Sequence, residues 1–220
     1  LAIAGGSLLL NLVQNSQALG NSQQARMDNL NRQMKEFQKN STYHKMPPLR
    51  IVDLNKDDWA VLCGKCVKAA NTRALLPFLK AIADKYHAGH GSYHSSIRKV
   101  FSNLEAAERI FYSSSMFLSD ADKVQLEAHL NAMGRHWQHL RHLSSLAFNN
   151  FWQVTPNVHL GTHAIAEQAR LINPRYVQNY SEESLIGRAT KVWAATARGP
   201  YSRSAQQIAL ARYLVGLVIR

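Results

Sequence analysis

The feature that most constrains this chain is a run of apolar side chains at helical spacing behind a serine. Leu126, Leu130, Met133, Trp137 and Leu140 alternate steps of four and three, so on a helix they fall within one narrow stripe. Ser119 stands where a side-chain oxygen can accept a free N–H of the first turn. The pattern predicts a helix over about 120–148 whose stripe is a buried core seam. A coiled-coil contact with a partner is the alternative.

Helical periodicity runs through the rest of the chain and predicts a mainly α, multi-helix domain. Residues 1–14 read as an apolar helix. Over 21–39, Met27, Leu30, Met34 and Phe37 recur at spacings of three and four. Pro47-Pro48 marks a linker, which divides N-terminal helices and linker (1–46) from a main helical domain (47–220). The stretch from Leu49 to Leu54 is the best strand candidate. Asn55, with Asp57 and Asp58 behind it, resembles a helix start. It predicts a helix through Trp59, Leu62 and Cys66 toward Ala70. Pro77 begins the next helix, and Gly89 and Gly91 break the chain after it. A helix over 93–117 is expected to bury Ile97, Phe101, Leu104, Ile110 and Phe111. Pro156 opens a helix over 157–171 that ends before Asn173-Pro174. Ser181 caps another, stopped by Gly199-Pro200, and a last helix runs from 202 onward.

Charge narrows the partners. Lys and Arg number 26 against 14 Asp and Glu, a formal net charge of +12. Such an excess favours a polyanion, nucleic acid first among them, over a bare solvated surface. Cys63 and Cys66 form a single Cys-Gly-Lys-Cys. This pair supplies only half a zinc set, and reduced thiols are the simpler expectation. No disulfide framework is implied, which suggests an intracellular compartment, with the nucleus suited to a nucleic-acid partner. Both ends read as cut from something longer. The apolar start is too short to span a bilayer and lacks a basic leader, so no membrane partner is expected.

Ten histidines fall in groups. His136, His139 and His142 are spaced by three, and each such step turns back about 60° on a helix. They fan from the edge of the Leu126–Leu140 stripe toward solvent and cannot converge on one metal unaided. His87, His90 and His94 sit around two glycines and read as a polar loop. His159 and His163 are four apart and share a helix face. They could bind metal, orient a carboxylate or meet phosphate, or simply pack.

The helix starting at Ser181 carries the strongest signal. Leu185, Ile186, Ala189, Val192 and Trp193 form an apolar face, with Arg188, Lys191 and Arg198 opposite. Glu182 and Glu183 occupy its first turn, where negative charge suits the helix dipole. Arg175, beside Tyr176, and Arg203, close to Tyr201, extend the basic region. Arginine interleaved with tyrosine suits phosphate contact with base stacking.

The order of the paired-histidine helix (Pro156, His159, His163), the Asn173-Pro174-Arg175 turn and the helix Ser181–Lys191 resembles the last third of DDE-type transposase-like proteins of mobile elements. The resemblance extends over residues 60–220. It implies an RNase H-like fold with a helical insertion, of which this stretch holds little sheet. It also implies two-metal phosphodiester chemistry with Mg²⁺ or Mn²⁺. Glu183, with Glu182 adjacent, matches the family's last acidic position, and His159 and His163 match its paired histidines. Asn157 stands where the family pattern has lysine. Neither Asp28 nor Asp53 has the context of the two upstream catalytic aspartates, so this stretch alone is expected to be inactive. Three readings follow. The chain is part of a transposase-like protein, a non-enzymatic basic module that binds DNA or RNA by charge, or a helical interaction or assembly domain.

Overall fold

The structure, a computed structural model, describes residues 1–39, 46–56, 59–63 and 74–177, without the side chains of 56, 156, 157, 159–164 and 177. The described residues are mainly helical. Six α-helices run in chain order: α1 (Ala2–Asn15), α2 (Gln23–Lys39), α3 (Leu76–Tyr86), α4 (Ser92–Ser113), α5 (Asp120–Leu146) and α6 (Pro156–Leu171). Short 3-10 turns occupy Gln17–Leu19, Ile51–Leu54 and Pro174–Val177, and the strands β1 (Asn55–Lys56) and β2 (Trp59–Ala60) form a minimal antiparallel ladder. Leu1–Tyr176 constitute one compact unit.

α4 and α5 form the central hairpin. Their pairing is antiparallel, because Ser96 meets His136 while Asn103, further along α4, meets the earlier His129 on α5. The stripe Leu126, Leu130, Met133, Trp137 and Leu140 is buried throughout, as its spacing predicts. The Ser119 hydroxyl accepts from the backbone N–H of Asp122, fixing the start of α5. At the other end of the seam, Trp137 and Trp152 meet edge to face with ring centroids 5.7 Å apart. The Trp137 indole N–H donates to the Trp152 carbonyl at 3.0 Å. Trp152 is wholly buried, and its backbone N–H donates to Ser7 Oγ of α1 at 2.9 Å. Thus α1, α3, α4 and α5 share one core, with Leu8, Leu9, Leu79, Ile97 and Phe101 inside it. A second, smaller cluster joins α4 and α5 to α6 through Ile110, Phe111, Leu126 and Ala169.

The segment after the proline linker departs from its sequence reading. The expected strand at 49–54 is instead a 3-10 turn, held by the Arg50–Asp53 capping pair. Over the described residues 55–56 and 59–63 the helix expected from Asn55 is replaced by β1, β2 and a non-helical run to Cys63, while 57, 58 and the rest of the expected helix to Ala70 lie outside the described residues. The cause is tertiary. Val61 and Cys63 donate their N–H groups to the carbonyls of Leu54 and Asp53, and Leu62 donates to Ala2 at the start of α1. Those bonds outcompete the local preference for a helix at Asn55. Cys63 therefore stands outside any helix, its thiol beside the carbonyls of Val52 and Asn55. Cys66 lies outside the described residues. α4 stops at Ser113 rather than 117, because Ser114 turns to extended backbone.

Candidate nucleic-acid interface

Charge is polarised along the α4–α5 hairpin. No acidic residue occurs between Asp84 and Glu105, nor between Glu127 and Glu167. Antiparallel pairing sets the first acid-free stretch, which opens α4, beside the second, which closes α5. Glu105 and Glu108 on α4, and Asp120, Asp122 and Glu127 on α5, gather at the opposite end. The acid-free end carries Arg98 and Lys99 on α4 and Arg135 and Arg141 on α5. Among the described residues none of these four makes an ion pair with a carboxylate. By contrast Lys80, Lys123 and Arg170, nearer the acidic residues, all do.

Histidines line the same end. His136 reaches Ser96 Oγ at 3.4 Å across the helix pair. Burial, then the nearby charges of Lys99 and Arg135, hold its pKa below the ordinary value. His136 and His139 are half-buried and His142 is exposed, matching the expected fan from the seam toward solvent. His87 departs from the polar-loop reading. It ends α3, is only 3% exposed, and faces His94 with Nδ1 atoms 2.9 Å apart. Its Nε2 has no hydrogen-bond partner among the described residues. Burial, reinforced by His94 and Arg98, lowers its pKa from 6.5 to about 4.

A pH dependence follows from that shift. The unfolded chain takes a proton on His87 near pH 6.5, whereas the folded chain resists until about 4. The native state is therefore favoured above pH 6.5 and loses this contribution as pH falls toward 4. A shift of this size corresponds to roughly 3 kcal/mol. Thermal melts should show a steep loss of stability over that window, with a shallower fall in His87→Gln. Equal slopes would mean that His87 is not the group responsible.

α5 ends on an unusual residue. Phe148 has φ 51° and is 99% exposed. Its N–H donates to the Ser145 carbonyl at 3.1 Å, and the Asn149 N–H to that of Ser144 at 3.0 Å. These two bonds define a Schellman turn, whose left-handed position is ordinarily filled by glycine. A non-glycine residue there costs on the order of 1 kcal/mol.

Of the residues expected to contact nucleic acid or metal (Arg175, Arg188, Lys191, Arg198, Arg203, Glu182, Glu183, His159 and His163), Arg175 is the one whose side chain is described. The Asn173-Pro174-Arg175 turn is anchored to the end of α4. Asn173 is fully buried, and its Nδ2 donates to the carbonyls of Phe111 and Ser115 at 2.9 and 3.1 Å. The Arg175 guanidinium lies 4.4 Å from the Tyr112 ring centroid and donates to the Tyr112 carbonyl at 3.3 Å. A cation is favoured beside the last carbonyls of a helix, so this arginine already has partners that a phosphate contact would have to share. His159 and His163 fall four apart within α6, opened by the Thr155 cap, but their side chains lie outside the described residues. Glu182, Glu183, Arg188, Lys191, Arg198 and Arg203 also lie outside them.

Among the described residues no group of three or more His, Cys, Asp or Glu is placed to hold a metal. No described helix is long and apolar enough to cross a membrane. No family model, curated protein or solved structure matches the chain. The acid-free end was not among the expected sites. Its signal, two long gaps in the acidic residues, was present in the sequence, but nothing local shows that the gaps are neighbours.

Proposed function

We propose that the chain binds nucleic acid, DNA or RNA, through phosphate contacts at the acid-free end of the α4–α5 hairpin. The supporting observation is the segregation of charge along that hairpin. It leaves Arg98, Lys99, Arg135 and Arg141 without carboxylate partners among the described residues, with titratable histidines around them. Elsewhere in the chain Arg188, Lys191, Arg198 and Arg203 add charge of the same sign, with no acidic residue after Glu183.

Phosphate contacts release condensed counterions, so affinity falls steeply with salt. For about four contacts the loss between about 50 and about 200 mM salt is roughly a hundredfold. Reversing Lys99 and Arg135 to Glu should weaken binding at least about tenfold at low salt and flatten the salt dependence. Both side chains are exposed, so the melting temperature should hardly change. Fluorescence anisotropy with a labelled oligonucleotide reads both effects. Absence of binding at low salt, or full affinity in the double reversal, would remove this reading.

The resemblance to DDE-type transposases supports a narrower version, in which the nucleic acid is a substrate within an RNase H-like protein of a mobile element. Glu183 and Glu182 would then hold Mg²⁺ or Mn²⁺, with His159 and His163 as site histidines. The continuous helix α6, which carries both histidines, agrees with the motif's helix. Strand breaks in the same assay with Mg²⁺ present, made by a parent chain and lost in its Glu183→Gln variant, would separate cleavage from binding.

A further inference from the structure

We propose that Phe148 is a base-stacking residue and that the acid-free end of the hairpin takes single-stranded nucleic acid in preference to duplex. This rests on the phosphate-binding reading above and adds to it which form of nucleic acid fits. Three observations carry it. Phe148 is 99% exposed, so its ring contributes almost nothing to the core. It holds φ 51° at the left-handed position of a Schellman turn, where glycine or asparagine would be easier. A bulky side chain at both a strained and a fully solvated position does not serve folding.

The third observation is the platform. Upstream of Phe148, α5 is fixed by the seam that ends at Leu140 and by the buried Ser144. Shortly after it, Trp152 is buried and tied by its backbone N–H to Ser7 Oγ at 2.9 Å. Arg141 lies beside the intervening loop, with Nη1 3.5 Å from the carbonyls of both Asn149 and Phe151. The exposed His142 lies six residues before Phe148, in the last turns of the helix. The aromatic ring is therefore presented on an anchored turn, in a surface whose charge complements a phosphate backbone. In a duplex the bases are already stacked on one another. In a single strand each unpaired base offers a face to an exposed ring while its phosphates meet the flanking cations.

The test compares a labelled oligo-dT with a duplex of equal length at low salt, on the wild-type chain and on Phe148→Ala, Phe148→Tyr and Phe148→Gly. The wild type should bind the single strand more tightly. Phe148→Ala should lose about tenfold on the single strand and little on the duplex, while Phe148→Tyr retains affinity. Phe148→Gly should lose as much as alanine while its melting temperature rises by a few degrees, because glycine relieves the turn. That opposite movement of affinity and stability separates a stacking role from a structural one. Equal losses on both probes, or none, would overturn the stacking proposal and leave phosphate binding standing. Wild-type chain that binds neither probe would overturn both. A concentration-dependent dimer that Phe148→Ala dissolves would reassign the ring to self-association and overturn the proposal.

Discussion

Trp137→Asp is expected to lower the melting temperature by roughly 10–20 °C, or to prevent folding outright. Trp137 is 2% exposed and lies on the α5 seam. Its ring packs at 90° against Trp152, and its indole N–H bonds the Trp152 and Gln153 carbonyls. Removing the ring alone costs about 3–5 kcal/mol. A carboxylate in its place would be buried beside those two carbonyls, with no donor supplied to it by the lost indole, and that adds a desolvation penalty. Trp137→Phe keeps part of the packing but loses the hydrogen bonds and one ring's volume, so it should cost less, about 1–3 kcal/mol. Circular dichroism melts would rank the three proteins. Wild-type stability in the aspartate variant would contradict the seam.

Gly6→Ala should destabilise by about 3 kcal/mol or more, against the direction expected of its position in a helix. Inside a helix, alanine in place of glycine ordinarily gains about 0.5–1 kcal/mol. Here a Cβ on Gly6 would collide with the Cα, C and N atoms of Val61. Backbone atoms cannot rotate away as the end of a side chain can, so α1 would have to separate from the segment after β2. That segment is held to α1 by the bond from Leu62 N–H to the Ala2 carbonyl, so both would have to shift. Gly5 provides the internal comparison. A Cβ there meets first the Leu62 side chain, at 2.6 Å, which can move. Gly5→Ala should therefore cost less than Gly6→Ala. Denaturant melts giving equal values for the two would show that the close approach is not what selects glycine at position 6.

The helices were legible wherever a local signal and burial agreed. Apolar spacing identified α1, α2 and α5, and Ser119 set the start of α5 before any tertiary contact was known. Such signals act over one or two turns and need no partner. The region from Asn55 to Cys63 shows their limit. Asn55 with two following aspartates looks like a helix start, yet Asn55 itself is extended and the described residues 59–63 form no helix, because the carbonyls of Ala2, Asp53 and Leu54 take the N–H groups of Leu62, Cys63 and Val61. Two of those acceptors are close in sequence, but the third belongs to the first turn of the chain.

The candidate site divides in the same way. The sequence by itself determined the sign and size of the net charge, the positions of the acid-free stretches and the histidine spacing, because these are properties of composition and order. Only the tertiary structure decided that residues 92–104 and 128–146 run antiparallel. That pairing converts two separate gaps in acidic residues into one cationic end. It also buried His87 against His94, although the flanking glycines suggest an open loop. At Phe148 it left an aromatic ring in solvent where helix-end chemistry calls for glycine. Charge order is written residue by residue, but which charges become neighbours depends on which faces the apolar seam brings together.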